Sequence, residues 1–375
     1  MKTVALVAHE IHDGGGMERA FAELLRGASG SDYRFVVIAR ELDESLRPLV
    51  EWRRVRSPGR PFPLKFLGFA LAAGRELRRT HTDLVHTLGA IVPNQADLTT
   101  VQFCHAGFVA ATGRLAPGEA PPLRRLNTAL SRLLALAFER WCYRPSRLRR
   151  FGAVSRGVAA ELERHYPVVP RSLTPNGVDC ERYRAVPHER QRFRADQGVR
   201  ADDVVALFVG GDWDRKGLGV ALEGIALAGV PLTLWVVGDG DAERFERRAS
   251  ELGVTAKFFG RRTDTESFYR AADLLLLPTL YETFSLVAHE AAASGLPVVA
   301  TRVSGIDELV GEQEAGMLVE RNPRSVGAAL ARLAGDPELR HALGEEARRR
   351  AAHYSWERSV RTTIECYEEL CATAR

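Results

Sequence analysis

Short, nearly unbroken apolar runs recur along the chain, and longer segments with apolar residues three and four apart lie between them. In the first half the runs are Val4–His9, Phe35–Arg40, Leu84–Leu88, Thr99–His105 and Phe151–Val154. In the second half they are Val204–Gly210, Leu232–Gly238, Lys257–Phe259, Leu274–Leu277, Val298–Thr301 and Met317–Val319. A strand that shows no polar face is covered on both sides, so these runs predict parallel sheets flanked by helices. Two such series predict two doubly wound α/β domains. Pro167, Pro170 and Pro175 interrupt helix and sheet between the series, which sets the expected domains at 1–168 and 169–352. Thr174–Asp179 reads as a tight turn, because Asn176-Gly177 tolerates positive φ. Residues 353–375 follow the last strand. Trp356, Val360, Ile364, Tyr367 and Leu370 give them one apolar stripe, so this helix must pack on structure already built.

Composition adds little to that outline and excludes several classes. A chain of 375 residues, 45% hydrophobic and 27% charged, has material for two ordinary cores. A formal charge of +4 on 52 basic and 48 acidic residues does not mark a nucleic-acid binder, and no basic stretch is interleaved with aromatics. The distribution is less even. Arg53, Arg54, Arg56, Arg60 and Lys65 cluster early, and Arg124, Arg125, Arg132, Arg140, Arg144, Arg147, Arg149 and Arg150 follow. This density suits an anionic substrate or surface, and equally a solvated face. The five cysteines form no CxxC pair and no metal-ligand spacing, and their odd number argues against a disulfide framework. Met1–Ala8 is too short for a signal peptide, and no apolar stretch reaches the roughly 18 residues of a membrane span. The expected location is the cytoplasm, with peripheral contact at the inner face of the membrane.

The most informative segment runs from Asp273 to Glu290. A buried strand ends near Pro278, a loop follows, and a helix begins near Ser285, which is placed to cap it. Open parallel sheets bind ligands at the carboxyl ends of their strands. A helix N-terminus there offers free amides and a positive dipole end, suited to a pyrophosphate. Glu282 and Glu290 bracket that terminus. A carboxylate repels phosphate but accepts from sugar hydroxyls. Helical side chains lean toward the N-terminus, so Glu290 reaches back to the same ligand. The division that follows puts phosphates on amides and basic groups, ribose on one glutamate and a second sugar on the other. Leu207–Gly217 is a strand followed by a glycine-rich loop holding Arg215 and Lys216, a fork and a point charge for that pyrophosphate. In the first half, Gly14-Gly15-Gly16 opens a helix after the first strand and lets backbone approach a ligand. His105 closes the fourth run.

Glu282-x7-Glu290 followed by Ala293-Ser-Gly-Leu-Pro-Val-Val-Ala300 resembles glycosyltransferase family 4. The resemblance extends over nearly the whole chain through Val154-Ser-Arg-Gly-Val158, Pro175-Asn-Gly-Val-Asp179 and Tyr354-Ser-Trp-Glu357. Arg215-Lys-Gly217, Phe258-Phe-Gly-Arg261 and Ala271-Ala-Asp-Leu-Leu-Leu276 are similar to the lipopolysaccharide-core branch of that family. It implies a GT-B fold, two Rossmann-like doubly wound domains facing a central cleft, with the final helix crossing back onto the first domain. The first domain would bind acceptor and the second a nucleotide-sugar. The activity implied is retaining, metal-independent transfer of a hexose from a nucleotide-sugar, a UDP-sugar foremost, to a glycan, lipid-linked or small-molecule acceptor. No separate cofactor or nucleic-acid partner is implied. By resemblance Glu282 meets the transferred sugar, Glu290 the ribose, Arg215 and Lys216 the diphosphate, and the amides of Thr283, Phe284 and Ser285 the distal phosphate. Arg261 would stand near the base, Gly15 and Gly16 near the donor phosphate or sugar, and His105 opposite the donor sugar. Gly211-Asp212 departs from the family's Gly-Arg, which leaves the basic charge of that loop on Arg215 and Lys216 alone. A nucleotide-sugar 2-epimerase and a non-catalytic nucleotide-sugar-binding protein would share the fold.

Overall fold

The computed structural model describes residues 1–59, 61–115 and 122–373, and the side chains of residues 122–124 stand outside that description. Arg60 and the side chain of Arg124, both counted in the basic clusters, therefore lie outside the described residues. The chain forms two compact units, Met1–Gly177 with Trp356–Arg375, and Val178–Ser355.

The strands of the first unit are β1 (Lys2–Val7), β2 (Glu10–Ile11), β3 (Tyr33–Ala39), β4 (Glu41–Leu42), β5 (Glu51–Arg54), β6 (Leu84–Leu88), β7 (Ala96–Val101), β8 (Leu148–Ala153) and β9 (Arg171–Leu173). Seven of them form one parallel sheet in the order β5-β3-β1-β6-β7-β8-β9, and β2 pairs β4 separately. Its helices are α1 (Gly16–Gly27), α2 (Phe62–Arg79), α3 (His105–Thr112), α4 (Pro122–Cys142) and α5 (Arg156–His165).

The second unit repeats the plan. Its sheet has the order β12-β11-β10-β13-β14-β15, built from β10 (Val205–Val209), β11 (Thr233–Val237), β12 (Ala256–Phe258), β13 (Leu274–Leu277), β14 (Val298–Thr301) and β15 (Gly316–Val319). All its neighbours are parallel. The helices are α6 (Pro187–Asp196), α7 (Trp213–Lys216), α8 (Leu218–Ala228), α9 (Ala242–Glu251), α10 (Thr265–Ala271), α11 (Leu286–Ala293), α12 (Ile306–Val310), α13 (Pro323–Gly335) and α14 (Pro337–Ala351). In both sheets the chain starts in the middle, winds to one edge, and returns to wind to the other. That reversal leaves a crevice at the carboxyl ends of the central strands, β1 and β6 in one unit and β10 and β13 in the other.

Every apolar run became a strand because the helices cover both faces. Leu274, Leu275, Leu276 and Leu277 are all fully buried. The strands not anticipated are short or lie at edges. Glu51–Arg54 and Arg171–Leu173 carry charged and polar residues, as edge strands do, and so lack the apolar signature. β9 pairs β8, which carries the first unit to Gly177 rather than residue 168. Residues 353–355 stay with the second unit, where the Val178 N–H donates to the Tyr354 carbonyl at 2.6 Å. The run Thr99–His105 is strand only to Val101, and His105 opens α3. Asn176-Gly177 is not a positive-φ turn. The Asn176 side chain instead exchanges two hydrogen bonds, at 2.7 and 2.8 Å, with buried Gln102.

The last helix, α15 (Trp356–Ala372), packs on α1 and buries Val360, Tyr367 and Leu370 in the first unit's core. A polar pin reinforces that packing. His86 on β6 is 1% exposed, with one ring nitrogen 2.6 Å from the Tyr367 hydroxyl and the other 2.8 Å from Thr100 Oγ1. Burial pushes the His86 pKa from 6.5 down to about 3, so the ring is neutral in the fold. Tyr367→Phe leaves a ring nitrogen without its partner and is expected to destabilise the first unit by about 1–3 kcal/mol in thermal unfolding. The unfolded chain takes up the His86 proton below pH 6.5, so the stability conferred by keeping this ring neutral is complete above 6.5 and declines as pH falls toward 3. A His86→Leu comparison in denaturant unfolding against pH is expected to show a shallower acid decline.

Candidate active site

Two loops meet at the reversal point of the second sheet, one leaving β10 and one leaving β13. The β10 loop turns through Gly210 and α7, and Gly217 then lets it approach the β13 exit. Gly217 has φ +85, and a Cβ there would sit 2.2 Å from the Pro278 carbonyl oxygen. At Gly210 a Cβ would meet the Lys216 stem at 2.5 Å, so this glycine makes the room in which Lys216 lies. The Leu280 N–H donates to the Arg215 carbonyl at 2.8 Å and fastens the loops together.

Glu282 receives both cations of the β10 loop. Lys216 Nζ donates to its Oε1 at 3.1 Å and Arg215 Nη1 at 3.2 Å, while the same Nη1 donates to the Tyr281 carbonyl at 2.6 Å. Arg215 Nε donates to Asp212 at 3.0 Å, and the Thr279 hydroxyl adds a long contact to Glu282 at 3.4 Å. The Glu282 and Lys216 side chains are only 12% and 10% exposed. Burial pushes the Glu282 pKa up, but Lys216 and Arg215 outweigh it and hold the carboxyl below its ordinary value. The site therefore keeps an ionised carboxylate beside two charged donors, all largely withdrawn from water.

Ser285 stands at the N-cap position of α11, as the sequence implies, but its hydroxyl does not cap the helix. Its φ is +65, and its buried Oγ has no hydrogen-bond partner among the described residues. Asp212, ahead of α7, is likewise left-handed at φ +51. Among the described non-glycine residues only Asp212, Ser285 and Gln313 have positive φ, so two of the three flank this one site. Such conformations cost about 1–2 kcal/mol each. Phe284 is buried with its ring stacked on His289, 3.9 Å between centroids.

Glu290 enters from the fifth position of α11. The Tyr183 hydroxyl donates to its Oε1 at 2.8 Å and the Tyr269 hydroxyl to its Oε2 at 3.0 Å. Both phenols are buried and, through burial and then the Glu290 charge, hold their protons well above the ordinary range. A phenol thus holds each oxygen of the carboxylate. Neither tyrosine has a spacing that would single it out. Tyr183 follows a proline-rich junction and Tyr269 lies on α10, so only folding brings them to Glu290. Arg261 is exposed in the loop after β12, and the Gly238 N–H donates to the Gly260 carbonyl at 2.8 Å to tie that loop to the end of β11.

The remaining candidates lie in the first unit and on separate loops. Gly15 is the extended N-cap residue of α1 and Gly16 its first helical residue, with the short β2 between them and β1. His105 is the first residue of α3. Its N–H donates to Glu139 Oε1 at 2.7 Å, the Ala106 N–H to Glu139 Oε2 at 3.1 Å, and the Tyr166 hydroxyl to that same oxygen at 3.0 Å. Glu139 was not singled out by sequence, because it sits inside α4 among apolar residues. Burial raises its pKa to about 7. Burial, and secondarily Arg132, lower His105 to about 4, and the buried His105 Nδ1 has no hydrogen-bond partner among the described residues. Among the described residues no cluster of three His, Cys, Asp or Glu side chains is arranged to hold a metal ion.

Two doubly wound units, one with cationic and carboxylate side chains gathered at its sheet's reversal point, define a GT-B glycosyltransferase, and solved structures of that class match nearly the whole chain. WaaG, a glycosyltransferase involved in lipopolysaccharide biosynthesis, matches with TM-score 0.80 and 25% identity over 96% of this chain and 99% of that one. Sucrose-phosphate synthase from Thermosynechococcus elongatus shares the fold, with TM-score 0.81 and 20% identity over the full length of both chains. The glycosyl transferases group 1 family matches residues 203–336 and Glycosyltransferase Family 4 matches residues 14–182. A D-inositol 3-phosphate glycosyltransferase of Geodermatophilus obscurus is 30% identical over 97% of this chain and 87% of its own length. The lipopolysaccharide glucosyltransferase WaaG of Escherichia coli is 30% identical over 58% of this chain and 61% of its own. The chain belongs to glycosyltransferase family 4.

Glu282→Gln removes the anion between Lys216 and Arg215. It is expected to cost about 1–3 kcal/mol in thermal unfolding, and Lys216→Met less, because Arg215 still pairs the carboxylate. The wild-type advantage over Glu282→Gln is expected to hold above the ordinary glutamate value of 4.5 and to shrink as pH falls below it, since the folded pKa is the lower one.

Proposed function

We propose that this glycosyltransferase moves a hexose from a UDP-sugar to an acceptor with retention of anomeric configuration and without a metal ion, working in the cytoplasm at the inner face of the membrane. One observation carries the reading: Arg215, Lys216 and Glu282 converge at the reversal point of the second sheet, on the loop that leads into α11, whose Glu290 is held by two phenols. The diphosphate lies on Arg215, Lys216 and the amides of Thr283, Phe284 and Ser285, where fixed donors and the α11 dipole stabilise charge as the nucleotide leaves. Glu290 accepts from the ribose hydroxyls, Glu282 from the transferred sugar, and Arg261 stands toward the base. Gly15, Gly16 and His105 serve the sugar and the acceptor. Departing phosphate itself takes the acceptor proton on the face where the bond breaks, so no protein base is assigned.

A structural neighbour of lower identity, HepE of Anabaena, has been solved with UDP and glucose and with UDP-glucose, which supports a uridine donor here. The relatives' names, an inositol phosphate and a lipopolysaccharide glycosyltransferase, support a hydroxylated acceptor bearing negative charge. The test is a thermal-shift panel of UDP- and GDP-sugars followed by transfer assays. UDP-sugars are expected to raise the melting temperature of the wild type. Glu290→Ala is expected to abolish that rise, and Tyr183→Phe to weaken donor binding by about tenfold or less, equivalent to one hydrogen bond to a charged group. A panel in which no nucleotide-sugar stabilises the wild type would sink the reading.

A further inference from the structure

His289 lies at the fourth position of α11, directly before Glu290, and is fully buried. Its ring is nearly parallel to that of Phe284, with 10° between the planes and 3.9 Å between centroids. Tyr354 closes edge-on against both, 4.7 Å from His289 and 5.7 Å from Phe284. His289 Nδ1 is 3.0 Å from the Ser285 carbonyl oxygen. A carbonyl only accepts, so Nδ1 carries the proton and Nε2 is left with a bare lone pair. Burial lowers the His289 pKa from 6.5 to about 4, so Nε2 stays unprotonated at neutral pH. That buried nitrogen has no hydrogen-bond partner among the described residues.

Packing alone does not call for histidine here. An orphaned acceptor in a core costs stability, and a phenylalanine or leucine would bring no such atom. What the imidazole supplies, and an apolar side chain cannot, is the Nδ1–H. Its acceptor is the carbonyl of Ser285, one of three described non-glycine residues with positive φ. The same carbonyl accepts from the Ala288 N–H at 3.0 Å and the His289 N–H at 3.3 Å, so three donors meet on one strained residue. The residue before it is confined as well. A Cβ on Gly305, the N-cap of α12, would stand 2.4 Å from the Phe284 carbonyl oxygen. One imidazole thus holds this turn twice, by stacking on the Phe284 ring and by bonding the Ser285 carbonyl.

We propose that His289 is a positioning residue, whose Nδ1–H keeps Ser285 left-handed and thereby sets the Thr283, Phe284 and Ser285 amides for the distal phosphate of the donor. This deepens the donor-site reading above and rests on it. The test compares two variants. His289→Phe keeps a stacked ring and loses the N–H, whereas His289→Asn puts an amide nitrogen in place of Nδ1 and loses the ring. His289→Phe is expected to melt at or above the wild-type temperature, yet to bind UDP about tenfold more weakly in calorimetry. Its affinity for UMP, which lacks the distal phosphate, is expected to stay at the wild-type level. Hydrogen exchange of peptides spanning residues 283–289 is expected to be faster in His289→Phe than in the wild type. His289→Asn is expected to melt below the wild type and to keep its UDP affinity within about threefold. A structural role alone would make affinity follow melting temperature instead. The proposal is overturned if His289→Phe binds UDP as the wild type does, or leaves exchange at residues 283–289 unchanged. Equal losses for UDP and UMP also overturn it, because the substitution would then act through Glu290 and the ribose. So does a folded His289→Asn that loses about tenfold or more of its UDP affinity. A wild type that binds neither nucleotide sinks the donor-site reading, and the exchange rates then still decide whether His289 holds Ser285.

Discussion

The carboxylate of Glu282, held between Lys216 and Arg215, is the interaction around which the second unit's site is arranged. It spans the two loops that leave β10 and β13, so it exists only because those strands are neighbours across the reversal of the sheet. Withdrawing two cations from water is costly, and one well-placed anion offsets that cost. The surrounding features serve the same convergence. Gly210 vacates space for the lysine stem, Gly217 admits the Pro278 carbonyl, and Asp212 accepts from Arg215 while holding a left-handed backbone. A site with two left-handed non-glycine residues spends backbone energy to place its groups, which is the usual mark of a binding region rather than of a turn.

The same economy holds one helix turn away. Glu290 is not left to find its own rotamer, because two buried phenols hold it. The first unit shows a parallel device, in which Glu139 accepts from the first two amides of α3 and so fixes the start of that helix at His105. In each case a candidate site residue is positioned by a buried partner on another element. Family membership accords with this plan, since the fold supplies the crevice and the loops supply the chemistry.

The convergence of Arg215, Lys216 and Glu282 was legible because parallel sheets put loop residues at predictable places. Arg215, Lys216, Glu282 and Glu290 all follow apolar strands by short intervals, and the carboxyl end of a strand is where a ligand binds. The supporting residues were not legible. Tyr183, Tyr269 and Glu139 lie on elements far along the chain from the groups they hold, and no local spacing distinguishes them from core residues. Asn176 departs from its local preference for a related reason. Asn-Gly favours a tight turn locally, but here a buried amide partner, Gln102, takes the Asn176 side chain and φ is not positive.

The chain alone thus determined its class. Unbroken apolar runs require two-sided burial, two-sided burial requires parallel strands with helical crossovers, and the order of motifs places Arg215, Lys216 and Glu282 beyond strand ends. Tertiary structure alone decided where the first unit stops, since β9 is a polar edge strand recognisable only by its pairing with β8. It also decided which donors hold Glu290, and it turned leucines of α2 and α4 outward although their spacing suits a core. Periodicity tells which residues share a helix face. Only the packing of that helix on its neighbours tells which face meets the protein and which meets solvent.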